Sequence, residues 1–198
     1  MFKTDIPIYP YMKVFDLFAG LKGWSAPFKE RGHEIKTLDL EPKFECDLTM
    51  DILDFDPAIL EDWRPDIILA SPPCNAFSVA SIGHHWKGGR RAYIPKTEFA
   101  VTSQEIVQKT LALIQELDPS FWILENPMGM LRTMRFMKGR WEKVVVTYCQ
   151  YGEKWMKPTD LWGGFPPSLR FRPRCKNGDP CHEAAPRGTK TGGIQGLR

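Results

Sequence analysis

Short, unbroken apolar runs recur along the chain between amphipathic and turn-rich stretches. Residues 14–18 form the first strand candidate and give way to Ala19-Gly20. Residues 35–40 form the second, after a short predicted helix over 25–31. Residues 67–70 are entered through Pro65 and stopped by Pro72-Pro73. Residues 121–124 end at Glu125-Asn126-Pro127, and residues 144–148 are the most β-prone stretch of all. Between the third and fourth runs, Val101, Ile106, Val107, Thr110, Leu111, Ile114 and Leu117 recur at near-helical spacing until Asp118-Pro119 closes the pattern. Continuous apolar strands alternating with helices predict an α/β fold: an open, doubly wound, mostly parallel sheet covered on both faces. Such sheets bind ligands beyond the carboxyl ends of their strands. The polar and unusual residues cluster there: Gly20 to Gly23, Asp39, residues 71–78, and Glu125-Asn126. From Gly163 onward periodicity vanishes and Gly, Pro and Arg become dense. The predicted division is a catalytic domain over 1–164 and a basic, loop-rich extension over 165–198 without its own core.

At 198 residues, 42% of them hydrophobic and 26% charged, the chain is long enough for one sizeable core. No apolar run reaches the length of a membrane span. The net charge is only +3, but it is unevenly spread. The extension carries Arg170, Arg172, Arg174, Lys176, Arg187, Lys190 and Arg198 against Asp179 and Glu183. A second cationic stretch holds His84, His85, Lys87, Arg90, Arg91 and Lys96 with no acid. Two basic segments on a near-neutral body suit a polyanion held at one face; the alternative is a pair of solvated loops. Five irregularly spaced cysteines fit a reducing, cytoplasmic setting better than a disulfide framework.

Three strand ends carry candidate chemistry. In Phe18-Ala19-Gly20-Leu21-Lys22-Gly23-Trp24 the glycines allow a tight turn and close approach of a ligand, and Asp39 at the second strand end can accept hydrogen bonds from ribose hydroxyls. The pair points to a ribose-bearing cofactor. No Lys-Ser or Lys-Thr follows the glycines, so a triphosphate is the poorer fit. In Ser71-Pro72-Pro73-Cys74-Asn75-Ala76-Phe77-Ser78 the prolines stiffen the backbone and present Cys74 beside a cationic loop, a setting for a nucleophilic thiol. A small buried hydrophobe is the plainer alternative for Cys74. Glu125 can hold or share a proton with a substrate nitrogen, or Glu125-Asn126 can simply cap a strand. Cys175, Cys181 and His182 are three metal-ligand candidates, one short of the usual four of a zinc site. The expectation is therefore no metal, with a weaker alternative of one at these residues, and a basic loop facing a polyanion.

Together, Asp16-Leu17-Phe18-Ala19-Gly20 with Gly23, Pro72-Pro73-Cys74-Asn75-Ala76-Phe77-Ser78, Glu125-Asn126-Pro127 and Tyr151-Gly152 resemble the motifs of the DNA cytosine-5 methyltransferases, in order and near spacing, over about residues 13–162. The resemblance implies a Rossmann-like methyltransferase fold, S-adenosylmethionine as methyl donor, and DNA cytosine, flipped out of the helix, as substrate. It implies Cys74 as the nucleophile that adds to cytosine C6 and Glu125, with Asn126, as the group that holds the base. Phe18, Ala19, Gly20, Gly23, Trp24, Asp39, Leu40 and Pro72 would border the cofactor, with Asp51 and Ile52 at its adenine and Asp47-Leu48 as the rival there. The loop over 79–96, with Ser78 before it and His84, His85, Lys87, Arg90 and Arg91 within it, would close over DNA.

The chain departs from the family pattern at several positions. Lys22 stands for a glycine, Asn75 for a glutamine, and Lys157 and Thr159 for the two arginines that follow Tyr-Gly. Thr159 would then give cytosine a shorter, neutral hydrogen bond. Only 36 residues follow Trp162, where the family carries a target-recognition region. That implies either a compact, phage-type enzyme of a bacterial or phage-infected cell, whose specificity is low or supplied by a partner subunit, or a piece of a longer chain. Two other functions stay open: the same chemistry on RNA, and a catalytically weak nucleic-acid-binding subunit. Retention of both Cys74 and Glu125 argues against the latter.

Overall fold

The computed structural model describes residues 10–79, 81–89 and 93–183. Their order is β1 (Lys13–Leu17), α1 (Ala26–Glu30), β2 (Glu34–Asp39), β3 (Leu48–Thr49), β4 (Ile67–Ala70), α2 (Ile82–His85), β5 (Trp86–Lys87), β6 (Ile94–Pro95), α3 (Glu98–Leu117), β7 (Phe121–Pro127), β8 (Lys143–Thr147) and β9 (Pro158–Gly164), with short 3-10 turns between them. Seven strands form one mostly parallel sheet in the order β3-β2-β1-β4-β7-β9-β8, and β5 pairs with β6 in a hairpin. The expected doubly wound α/β class holds. The chain divides into two compact units, one built on residues up to Pro72 and on Glu105–Trp122, the other on Pro73–Gln104 and residues from Ile123 onward.

In the first unit β1 is central. Its Val14 lies beside Ile35 of β2 and Ile67 of β4, both parallel. The chain leaves β1 on one side and returns as β4 on the other, so the strand order reverses there, the position where such sheets bind ligands. The core under this point joins Phe15, Leu17, Leu38, Ile68 and Ala70 from the strands to Phe55, Leu60 and Trp63 from the segment before β4, and to Leu113, Ile114 and Leu117 from α3. The Phe15 ring lies 5.6 Å from Phe55 and meets Trp63 edge-on at 5.9 Å. Helix α3 can bury Thr110 because its hydroxyl donates to the Ile106 carbonyl at 2.8 Å. Asp118, at φ +44°, and Pro119 then end it.

In the second unit β8 and β9 are antiparallel, from Lys143 beside Trp162 to Thr147 beside Pro158. Strand β9 was not legible in the sequence, because Pro158, Asp160 and Gly163-Gly164 interrupt its apolar pattern. Asp160 is fully buried and tolerated because Arg132 grips both its oxygens, through Nε at 2.8 Å and through Nη2. Lys143 approaches the same carboxylate at 3.9 Å. The stretch over 79–96, expected as an open loop, instead carries α2 and the β5–β6 hairpin. Its anchor is Trp86, buried, stacked 5.8 Å from Phe77 and donating through Nε1 to the Ala76 carbonyl at 2.7 Å. Among the described residues no helix is long and apolar enough to cross a membrane.

Arg132→Ala should destabilise the protein by about 3 kcal/mol, because it leaves the Asp160 charge buried with only a distant lysine. Urea unfolding measures this; a loss under ~1 kcal/mol would show that Lys143 and solvent suffice.

Candidate active site

The first unit builds the cofactor-type residues around the end of β1. Phe18 and Gly20 both turn into the left-handed region, at φ +61° and +50°. Gly20 donates its N–H to Asp39 Oδ2 at 2.9 Å, while Asp39 Oδ1 accepts from the Glu41 N–H at 2.9 Å. Asp39 thus ties the glycine turn to the end of β2, and each oxygen keeps a further lone pair for a ligand hydroxyl. Asp51 accepts the Leu53 N–H through Oδ1 at 2.9 Å. Its rival Asp47 is committed elsewhere: its Oδ2 accepts both the N–H and the hydroxyl of Thr37, at 2.8 and 2.7 Å. The Ile52 side chain is buried in the core, which leaves only its backbone to a ligand. Ala19 and Pro72 are buried, Trp24 is half-buried, and Gly23 and Leu40 are exposed.

Asp16, in β1, is a buried carboxyl beside the glycine turn. It is 3% exposed at the core of β1, and Ser25 Oγ donates to its Oδ2 at 2.6 Å. Burial pushes its carboxyl up to about 6, against the lowering effect of the Ser25 hydrogen bonds, and the nearby Asp39 charge raises it further. A carboxylate in an otherwise apolar strand is the signal that could have found it. The cleft of about 340 Å³ in this unit is lined by Lys22, Lys29, His33 and Asp47 among others and includes none of the predicted cofactor residues.

The second unit holds Cys74, Glu125 and the other residues expected to carry the chemistry. Cys74 precedes the 3-10 turn Asn75–Phe77, and Phe77 donates its N–H back to the Cys74 carbonyl at 3.0 Å. Ser81 Oγ donates to the Asn75 carbonyl and lies 2.9 Å from Ser78 Oγ, so Ser78 is drawn into bracing this turn. The Phe77 carbonyl accepts the Met130 N–H at 2.8 Å. The backbones approach so closely that a Cβ on Gly129 would stand 2.5 Å from the Phe77 oxygen. Glycine is therefore required there. The same segment starts at Glu125, 9% exposed, and Asn126, 1% exposed.

Tyr148 donates its hydroxyl to Glu125 Oε1 at 3.3 Å. Burial, and then the Glu125 charge, raise the Tyr148 phenol well above its ordinary value, so it stays a proton donor. Sequence reasoning read Tyr148 only as the end of a strand. The Met128 N–H reaches the Pro158 carbonyl at 2.9 Å, which ties Glu125-Asn126-Pro127 to the start of β9 and so to Lys157 and Thr159. Thr159 is fully buried and donates its hydroxyl to the Lys157 carbonyl at 3.2 Å. Its hydroxyl also reaches Tyr148, so Thr159 belongs to the polar cluster around Glu125. The Lys157 ammonium lies 4.5 Å from the Tyr148 ring centre.

Of the basic candidates, His84 and Lys87 are exposed, whereas His85 is held by Thr97 Oγ1 at 2.9 Å and by the Phe99 ring. Arg90 and Arg91 lie outside the described residues. In the tail, Arg172 is committed to its own chain, through Nη1 to the Gln150 carbonyl and over the Tyr151 ring.

Residues 12–138 match the model of the family described as C-5 cytosine-specific DNA methylase. A protein of Frog virus 3 (isolate Goorha) named "Probable DNA (cytosine-5)-methyltransferase" is 28% identical over 175 residues, covering 84% of this chain and 78% of that protein. Among solved structures, the Entamoeba histolytica methyltransferase EhMeth superposes with a TM-score of 0.56 at 10% identity, over 89% of this chain and 59% of its own. The S. pombe Dnmt2 methyltransferase gives 0.51 at 13% identity, over 77% and 50%. This chain spans about half the length of these two structures, and the likeness to them is one of fold.

Two outcomes follow from the site geometry. Asp16 binds a proton more tightly folded than unfolded, so its contribution to stability is fullest below about pH 4 and falls as pH rises to about 6. Across that window Asp16→Asn should gain on the wild type by on the order of 2 kcal/mol in urea unfolding; parallel curves would refute the shift. Gly129→Ala should speed amide exchange at Met130 by roughly tenfold, because the added Cβ forces the Phe77 carbonyl away from the Met130 N–H. An unchanged rate would show that the turn does not depend on this contact.

Proposed function

This chain belongs to the C-5 cytosine-specific DNA methylase family, and from that membership we propose that it transfers a methyl group from S-adenosylmethionine to C5 of a cytosine in DNA. The observation that carries the reading is the bond from Met130 N–H to the Phe77 carbonyl. It fixes the Cys74 turn to the segment that begins at Glu125.

S-adenosylmethionine supplies a methyl group made electrophilic by its sulfonium. The donor set at the strand ends of the first unit suits it. Asp16, Asp39 and Asp51 offer negative charge to a ligand with two positive centres, and Asp39 retains lone pairs for ribose hydroxyls. The glycine turn admits a ligand close to the backbone.

In the second unit Cys74, having lost its proton to solvent, attacks cytosine C6 and forms an S–C6 bond. Glu125, hydrogen-bonded by Tyr148, gives a proton or a strong hydrogen bond to N3 and accepts from the exocyclic amine. Negative charge is thereby neutralised as C5 becomes electron-rich. With the cofactor bound, C5 would accept the methyl group that its sulfonium supplies, and the thioether would leave with the bonding pair. The C5 proton then passes to solvent, and its electron pair expels Cys74 as thiolate and restores the ring. Lys157, whose ammonium lies over the Tyr148 ring, is the cation suited to the cytosine oxygen, with the buried Thr159 hydroxyl beside it.

A cytosine stacked in a duplex cannot reach such a site, so the base is extruded at a cost of a few kcal/mol. The exposed His84 and Lys87, with Arg90 and Arg91, supply phosphate contacts that offset it. Arginines on irregular backbone meet phosphate more than base edges, so the tail adds affinity and little sequence choice.

Cys74→Ser should abolish methyl transfer from labelled cofactor to DNA while leaving cofactor binding, read by calorimetry, in place. DNA carrying 5-fluorocytosine should trap the wild type as an adduct that survives denaturation, because fluorine at C5 cannot leave as the proton does. Turnover by the serine variant, or no adduct, would overturn the covalent route.

A further inference from the structure

The second unit gathers Cys149, Cys175, Cys181 and His182 outside the proposed active site, with all four ligand atoms within 4.8 Å of one another. Cys149 comes from the 3-10 turn Tyr148–Tyr151 that follows β8, and the other three from the tail. The sequence offered only the last three; the fold brings the fourth from 26 residues away. We infer that these residues form a structural zinc site that fastens the tail to the end of β8.

The separations carry the inference. Four ligands around one zinc at ~2.3 Å for sulfur and ~2.0 Å for nitrogen stand about 3.5–3.8 Å apart along the edges of a tetrahedron. Here Cys149 and Cys181 sulfurs are 3.7 Å apart, Cys175 Sγ is 3.7 Å from His182 Nδ1, and Cys181 Sγ is 3.5 Å from the same nitrogen. The Cys149–Cys175 edge, at 3.1 Å, is the short one. Three thiols and an imidazole converging in this way gain little from one another, since sulfur is a weak donor and acceptor. Three thiolates and a neutral imidazole closing a tetrahedron are a common zinc ligand set, and four protein ligands leave no open position for catalysis. On binding, the three thiol protons pass to solvent and the histidine binds through Nδ1.

The surroundings hold the ligands in place. The Cys175 N–H donates to Thr147 Oγ1 at 3.1 Å, and Gln150 Nε2 donates to Cys181 Sγ at 3.3 Å, a bond that favours thiolate. Beyond the last ligand, Glu183 donates its N–H to the Lys154 carbonyl at 3.0 Å and pairs with Trp155. Residues 165–182 contain no helix or strand, yet Cys175 is 5% exposed. Such a segment needs a cross-link to stay ordered, and the cluster provides the ligands for one. Because Cys149 adjoins Tyr148, the metal would also steady the turn that presents Tyr148 to Glu125.

Metal analysis of the full chain, purified under reducing conditions without added metal, tests this. One zinc per chain is expected, released by a thiol-modifying reagent. Replacement by Co2+ should give the visible spectrum of a tetrahedral thiolate site. Cys181→Ser and His182→Ala, at the far end of the tail where the sheet is not at risk, should each weaken zinc binding at least tenfold and alter that spectrum. Cys46→Ser, in the first unit, should leave both unchanged. Chelation should lower the melting temperature of the wild type but not of Cys181→Ser. Protein that neither contains nor takes up zinc would overturn the site. So would iron in place of zinc, zinc content indifferent to Cys181→Ser and His182→Ala, or a Cys149–Cys175 disulfide in metal-free protein. None of these readouts depends on methyl transfer.

Discussion

The geometry of the reactive residues hangs on a contact between two backbones. The carbonyl of Phe77 receives the Met130 N–H, and the absence of a side chain at Gly129 lets the two strands of chain close to that distance. Cys74 and Glu125 come from segments some 50 residues apart in sequence. What joins those two segments is a hydrogen bond that only a glycine permits, reinforced by Met128 to Pro158 on the next strand. A backbone contact has few soft degrees of freedom, so it holds position better than a pair of flexible side chains would.

The first unit shows the same economy in another form. Asp39 serves the turn that leads out of β1 by accepting the Gly20 N–H, and the lone pairs it retains face the same strand ends. Asp16 is less comfortable. Burial raises its proton affinity, and the Ser25 hydroxyl and N–H compensate only in part. A carboxylate in so apolar a setting is ionised at an electrostatic cost. Local instability of this kind is common where ligands bind.

The tail has two faces. Its arginines give it the composition of a polyanion-binding loop, but Arg172 is already occupied with Gln150 and Tyr151. Its cysteines and histidine converge on Cys149. A tail fastened there, as proposed, would still present Arg170 and Arg174.

The α/β class, five of the principal strands, the long helix and Asp39 at the end of its strand were legible in the sequence alone, whereas β7 runs through Glu125-Asn126-Pro127, which read as its stop. The legible features are local: apolar runs, helical spacing and proline or glycine stops act over a few residues. Strand β9 escaped notice because its buried Asp160 looks like a loop residue until Arg132, 28 positions away, is seen to neutralise it. The hydrogen bond of Tyr148 to Glu125 and the approach of Cys149 to the cysteines of the tail were hidden for the same reason. Each depends on a partner distant in sequence, and only the folded chain decides which distant groups meet.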